Sequence, residues 1–328
     1  MTAKKSHTQY RRPATMDLFP SITPYSSGYL EVDDIHTLYW EQSGNPDGVP
    51  VLVLHGGPGA GASPVHRQFF DPDHYRIIIF DQRGAGRSAP LGCLKNNTTQ
   101  KLIDDIETLR LHLRIQKWHL FGGSWGSTLA MLYGITNPQN CISIIMRGIF
   151  LCKHEEIDWF LHGIRTIFPE AWDQFTSILT PDEQNDILGS YYKRLTDNDK
   201  NVQIEAAIRW SLYEGACASL LPNYETITTD EQKEHALALA RLEAHYFKHE
   251  LIDDSKSILK QIDTIRHIPC SIIQGRYDII CPIVTANKLH HAWPEADYVV
   301  VQDAGHSALD PALRSRLIEA TESHKTLR

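Results

Sequence analysis

Short apolar runs recur along the chain. Residues 51–54, 77–80, 118–121 and 142–146 are rich in β-branched and aromatic side chains and are bounded by glycine, proline or polar residues. Continuous apolar runs of that length suit strands buried on both faces of a sheet, as in a parallel sheet covered by helices. Between them the period changes. Leu102, Ile106, Leu109 and Leu113 recur at helical spacing, and the run 118–121 leads directly into a second helical stretch starting near Trp125. Alternation of strand and helix predicts an α/β fold with a mostly parallel sheet. Ahead of it, alternating positions from Tyr29 to Trp40, broken at Asp33-Asp34, predict an opening hairpin, and Gly44-Asn45-Pro46-Asp47-Gly48 predicts a turn.

The rhythm stops after residue 146. From about Phe150 to Asp263 the chain reads as charged, aromatic-rich helical stretches with no convincing strand. Strand-like runs then return at 271–273 and 298–301, alternating with helices that begin near Pro282 and Pro311, where proline suits a first helical turn. A sheet that is left and later resumed predicts one α/β domain interrupted by a helical cap. The expected division is an N-terminal extension over 1–27, the first part of the core over 28–149, the cap over 150–263 and the second part of the core over 264–328.

Composition narrows the class. A chain of 328 residues with 42% hydrophobic and 22% charged residues can bury a large core without disulfides. The net charge of -8 argues against a nucleic-acid partner, which clustered Lys and Arg would have to neutralise. The six cysteines, at 93, 141, 152, 217, 270 and 281, form no Cys-x-x-Cys pair, so free thiols and no metal site are expected. The first residues carry Lys4, Lys5, Arg11 and Arg12 without the apolar run of a secretory signal, and no stretch reaches the length of a membrane span. A cytoplasmic protein with no membrane partner is the expectation; oligomeric state is not readable.

The chemistry is concentrated at strand ends. Gly122-Gly123-Ser124-Trp125-Gly126 is Gly-x-Ser-x-Gly between a predicted strand and a predicted helix. There a sharp turn with small neighbours can hold a serine hydroxyl above the sheet, with the next N–H free at a helix N-terminus. His55-Gly56-Gly57-Pro58-Gly59 follows the strand 51–54, where the backbone N–H of Gly57 would join that of Trp125 as an oxyanion hole. A phosphate-cradling loop is the other reading of these glycines, but neither Gly-Lys-Ser/Thr nor Gly-x-Gly-x-x-Gly is present. Asp278 closes the strand 271–273 and His306 closes 298–301, so Ser, Asp and His come in the chain order of the α/β-hydrolase fold. Ser124 is thus the candidate nucleophile, His306 the base and Asp278 its orienting acid, with no cofactor required. Asp81, in Asp81-Gln82-Arg83-Gly84, precedes the serine and reads as structural.

Several motifs together resemble the proline iminopeptidase family: His55-Gly56-Gly57-Pro58-Gly59, Asp81-Gln82-Arg83-Gly84, Gly122-Gly123-Ser124-Trp125-Gly126-Ser127, Met146-Arg147-Gly148-Ile149-Phe150, Trp210-Ser211-Leu212-Tyr213-Glu214-Gly215 and Arg241-Leu242-Glu243-Ala244-His245-Tyr246-Phe247. The resemblance runs from about Gly28 to beyond His306. It implies release of N-terminal proline from peptides through a prolyl-enzyme intermediate, with Glu214 and Glu243 binding the substrate's charged amine, Arg147 nearby and Phe150 lining the proline pocket. Carboxylates reward a cationic terminus, and an internal proline has neither that charge nor an N–H. Tyr213 stands where the family more often has tryptophan, and Phe160 where it has tyrosine, which implies different hydrogen bonding around the pocket. A broader aminopeptidase or amidase, an esterase of the same fold and a non-catalytic binding protein are the alternatives.

Overall fold

The computed structural model describes residues 16–221 and 226–327; residues 1–15 of the expected N-terminal extension lie outside the described residues. Eight strands form one sheet: β1 (Ser26–Glu31), β2 (Thr37–Gly44), β3 (Val49–Leu54), β4 (Tyr75–Phe80), β5 (Trp118–Ser124), β6 (Cys141–Ile149), β7 (Cys270–Gly275) and β8 (Asp297–Val301). Their spatial order is β1-β2-β4-β3-β5-β6-β7-β8. β1 and β2 form the hairpin and join β4 antiparallel; β4 and every strand from β3 to β8 run parallel.

The continuous apolar runs bury both faces, because successive side chains of a strand point to opposite sides. Leu52, Leu54, Ile78 and Phe80 face one core, which they share with α1 (Thr99–His112) and α2 (Trp125–Thr136). Val51, Val53, Ile77 and Ile79 face the other, beneath Leu313, Leu317 and Ile318 of the last helix. At its start, α1 is capped by the Thr98 hydroxyl, which accepts from Lys101 N.

Between β6 and β7 the described residues include six α-helices: α3 (His154–Asp158), α4 (Pro169–Thr176), α5 (Ile187–Leu195), α6 (Lys200–Ala218), α7 (Asp230–His249) and α8 (Ile258–Gln261). α9 (Ile283–Ala292) and α10 (Pro311–His324) complete the core, each beginning at or just after the proline expected to open it. Aromatic rings hold the inserted helices together. Phe175 stacks on Tyr213 at 4.4 Å and on Tyr191 at 4.5 Å, and Trp210 meets Phe175 and Tyr191 edge-on. The Tyr213 hydroxyl donates to the backbone carbonyl of Phe160 at 2.7 Å, so the two positions that depart from the family pattern are bonded to each other. Among the described residues no helix is long and apolar enough to cross a membrane.

Candidate active site

β5 ends at Ser124, whose backbone has φ 57° and ψ -128°, and α2 begins at the next residue. That conformation is costly for a residue with a Cβ and persists only where the surroundings fix it. The fixing is close packing: a Cβ on Gly122 would overlap the carbonyl oxygen of Gly126, and one on Gly126 would overlap that of Leu54. Glycine at both flanks is what lets strand, turn and helix meet. Trp125 stands at the first position of α2, where backbone N–H groups lack helical partners. Gly57 borders the same small cavity as Ser124.

Asp278 and His306 meet at the adjoining strand ends. His306 Nδ1 lies 2.9 Å from Asp278 Oδ2 and 3.0 Å from Oδ1. The carboxylate also accepts from Cys281 N at 2.8 Å and from Gln274 Nε2 at 3.1 Å, which fixes its plane. The inserted helices reach this loop: His306 N and Ser307 N both donate to Ala218 O, at the end of α6. His306 Nε2, the atom a serine hydroxyl must reach for the histidine to act as its base, faces Arg147 Nη1 at 3.0 Å. Ser124 and Cys281 border the same cavity.

Glu214 on α6 and Glu243 on α7 border the cavity of about 30 Å³ that also contains Ser124, Gly57 and Phe150. Phe160 and Phe247 complete its apolar wall. Glu243 is 1% exposed and accepts from Trp210 Nε1 at 2.5 Å. Burial pushes the Glu214 carboxyl up to about 7 and raises Glu243 well above the carboxylate range, the latter also because of Glu214's charge. The structure therefore brings Ser124, Gly57, Phe150, Glu214 and Glu243 to one cavity, with Asp278 and His306 joined beside it. Arg147 is not among the residues lining that cavity; its guanidinium sits on His306.

Sequence reading missed five members of the wall, Ile157 and Ile280 among them. Phe247 follows Glu243 by four residues on α7, a spacing that puts both on one helix face and was legible. Cys281 lies three residues after Asp278, with nothing in its pattern to mark it. Glu156 borders the cavity from α3, and burial pushes it up to about 7 although Leu151 N and Lys153 N donate to it. Asp81 lies elsewhere, accepting from Ala62 N at 2.7 Å, Arg87 N at 2.8 Å and Arg87 Nε at 2.7 Å. Among the described residues no group of three or more His, Cys, Asp or Glu side chains is arranged to hold a metal ion.

A larger cavity of about 760 Å³ adjoins the small one. Glu214 borders both, and Ala218 and Ser219 carry the wall of the larger one to the His306 loop.

A parallel sheet with a serine on a strained strand-to-helix turn and a His–Asp pair on later strand ends defines an enzyme of the α/β-hydrolase class. The family model for the alpha/beta hydrolase fold matches residues 49–312. A proline iminopeptidase of Arabidopsis thaliana is 49% identical over 313 residues, 94% of this chain and 82% of its own. One of Neisseria gonorrhoeae is 48% identical over 302 residues, covering 91% and 96%. The chain belongs to the proline iminopeptidase family and is a hydrolase. A crystal structure of proline iminopeptidase from Mycobacterium smegmatis shares the fold, with a TM-score of 0.58 at 18% identity over 92% of this chain and 99% of that one.

Proposed function

We propose that this protein is a serine exopeptidase that releases N-terminal proline from peptides. The observation that carries the reading is that two cap carboxyls, Glu214 and the buried Glu243, border the same aromatic-walled cavity as Ser124. Carboxyls beside a nucleophile would place a cationic amine next to the scissile carbonyl, and only a chain terminus supplies that cation. The aromatic wall of Phe150, Phe160 and Phe247 suits the apolar pyrrolidine ring, and the larger cavity gives the rest of the peptide a path past His306.

The chemistry follows from the geometry. Arginine can only donate, so the contact with Arg147 requires a lone pair on His306 Nε2 and leaves the proton on Nδ1, toward Asp278. That tautomer is the one a general base needs. In the reaction Nε2 exchanges Arg147 for the Ser124 hydroxyl, takes its proton as Oγ attacks, and returns it to the leaving amine. Gly57 and Trp125 N–H groups face the oxyanion, and water then hydrolyses the prolyl-serine ester by the same steps in reverse order. A cytoplasmic setting belongs to the same reading, supported by six free cysteines.

The test compares Glu214→Gln and Glu243→Gln on a prolyl amide and on a neutral acyl ester. Loss of a charge-assisted hydrogen bond worth about 1.5 to 3 kcal/mol lowers kcat/KM on the prolyl amide by about 10 to 100-fold, with far less loss on the ester. Equal losses on both substrates would assign these residues to holding the cap together, and comparable turnover of many aminoacyl amides would favour a broader aminopeptidase.

A further inference from the structure

Asp81-Gln82-Arg83-Gly84 leaves the end of β4, and in the sheet β4 lies beside β3, which lies beside β5. From there Gln82 reaches both neighbouring strand ends. Its backbone N–H donates to His55 Nε2 at 2.9 Å and its side-chain Nε2 donates to the His55 carbonyl at 2.9 Å, while its Oε1 accepts from the Trp125 indole at 3.0 Å. A carbonyl can only accept and an indole N–H can only donate, so the amide has one orientation here and uses both of its ends. Gln82 and His55 are each 2% exposed, and Trp125 is fully buried.

These partners carry the two oxyanion donors. Because His55 Nε2 accepts from the Gln82 N–H and burial keeps the ring neutral, the ring proton sits on Nδ1 and is donated to the Gly56 carbonyl at 2.9 Å. Ala60 N donates to that carbonyl as well, at 3.2 Å. The Gly56 carbonyl and the Gly57 N–H belong to one planar peptide unit and point opposite ways, so fixing the first aims the second. The loop lies against the nucleophile: a Cβ on Gly56 would stand 3.4 Å from Ser124 Cβ. We infer that Gln82 is the positioning residue of the oxyanion hole, its amide bracing the loop that carries the Gly57 N–H against the turn that carries the Trp125 N–H and so setting the distance between the two donors. The inference rests on the assignment of those N–H groups made above. Leucine in place of Gln82 would keep much of the volume but tie neither segment, and loosely held donors lose most of their effect on a charge that exists only in the transition state.

The experiment compares wild-type protein and the Gln82→Leu variant in their inhibition by two small molecules. Pyrrolidine-2-boronic acid adds to Ser124 Oγ through boron, with the hydroxyl proton passing to His306, and presents a tetrahedral oxygen to the two donors; pyrrolidine has the amine and no such oxygen. In Gln82→Leu the boronic acid is expected to bind about 10 to 100-fold more weakly, and kcat on a prolyl amide to fall by a similar factor, while KM and the pyrrolidine inhibition constant keep their wild-type values. Equal weakening of both inhibitors, or of neither, would overturn the inference, since an amide that only supports the fold cannot separate them. A wild-type protein that binds the boronic acid no better than pyrrolidine would overturn the oxyanion assignment itself. Should Gln82→Leu not fold, Trp125→Phe removes the indole donor alone and is expected to show the same separation, smaller in size; an unchanged boronic acid affinity in that variant would overturn the inference too.

Discussion

Arg147 Nη1 lies 3.0 Å from His306 Nε2 and 3.1 Å from the His306 carbonyl oxygen, so one guanidinium holds both the ring and the backbone of the candidate base. Burial works against its charge and the Asp278 carboxylate works for it. The side chain fits only because residue 123 is glycine: a Cβ there would overlap the guanidinium at Nε and lie 2.6 Å from Cζ.

That relationship gives a coupled prediction. Gly123→Ala displaces Arg147 from His306 and therefore has the same effect as Arg147→Ala, lowering kcat/KM by about 10-fold in each case. The double variant is no worse than either, since the second change removes nothing further. Multiplicative losses in the full mutant cycle would show that Gly123 and Arg147 act separately.

The strained nucleophile makes a second. Ser124→Ala lowers turnover by a factor on the order of 10⁶ while leaving the melting temperature nearly unchanged, because alanine inherits the same backbone conformation. Ser124→Gly is equally inactive but at least as stable as Ser124→Ala, since glycine relieves a strain of about 1 to 3 kcal/mol. Thermal denaturation of the two variants decides it; a markedly less stable glycine variant would mean that φ 57° carries no strain here.

At the opposite end of the sheet, His119 Nδ1, Ser143 Oγ, His324 and Ser271 Oγ form a buried chain with contacts of 2.7, 2.6 and 2.9 Å. Burial pushes His119 down to about 3, helped by His324, and pushes His324 down to about 4, opposed by Asp297. The folded state thus keeps both rings neutral where the unfolded chain protonates them. Their contribution is full above the unfolded value near 6.5 and is lost as pH falls through the window down to about 4, by at most about 1.4 kcal/mol per pH unit for each ring. Urea midpoints measured between pH 7 and pH 4.5 fall accordingly, and His119→Leu flattens that dependence. An unchanged slope in the variant would place the acid sensitivity elsewhere.

Donor counting predicts a preference between isomers. Sarcosyl and alanyl amides have the same atoms, but the first presents a secondary ammonium and the second a primary one. The sarcosyl amide is favoured by about 10 to 100-fold in kcat/KM, the cost of one unsatisfied N–H of about 1 to 3 kcal/mol. Parity between the two would leave ring shape as the basis of selection.

The parallel sheet was readable because strands buried on both faces leave unbroken apolar runs: residues 51–54 fall within β3, 77–80 within β4 and 118–121 within β5. The Ser124 turn was readable for a related reason, since only glycine tolerates the contacts made at residues 122 and 126. Both signals are local, written in neighbours a few residues apart. The order of serine, aspartate and histidine could be read too, as it depends on chain order alone. What the sequence left open was how distant side chains pair. Family resemblance implied Arg147 near the substrate amine; which side chain it meets in the fold, His306, a neighbour 159 residues away, only the packing against Gly123 decided. Glu156 carries no mark of a cavity wall in its own surroundings, since its neighbours in the chain only predict a helix start. The meeting of Glu214 and Glu243 at one cavity is likewise a product of α6 lying against α7. Burial raises both carboxyls above their ordinary range, and burial is a property of the assembled fold.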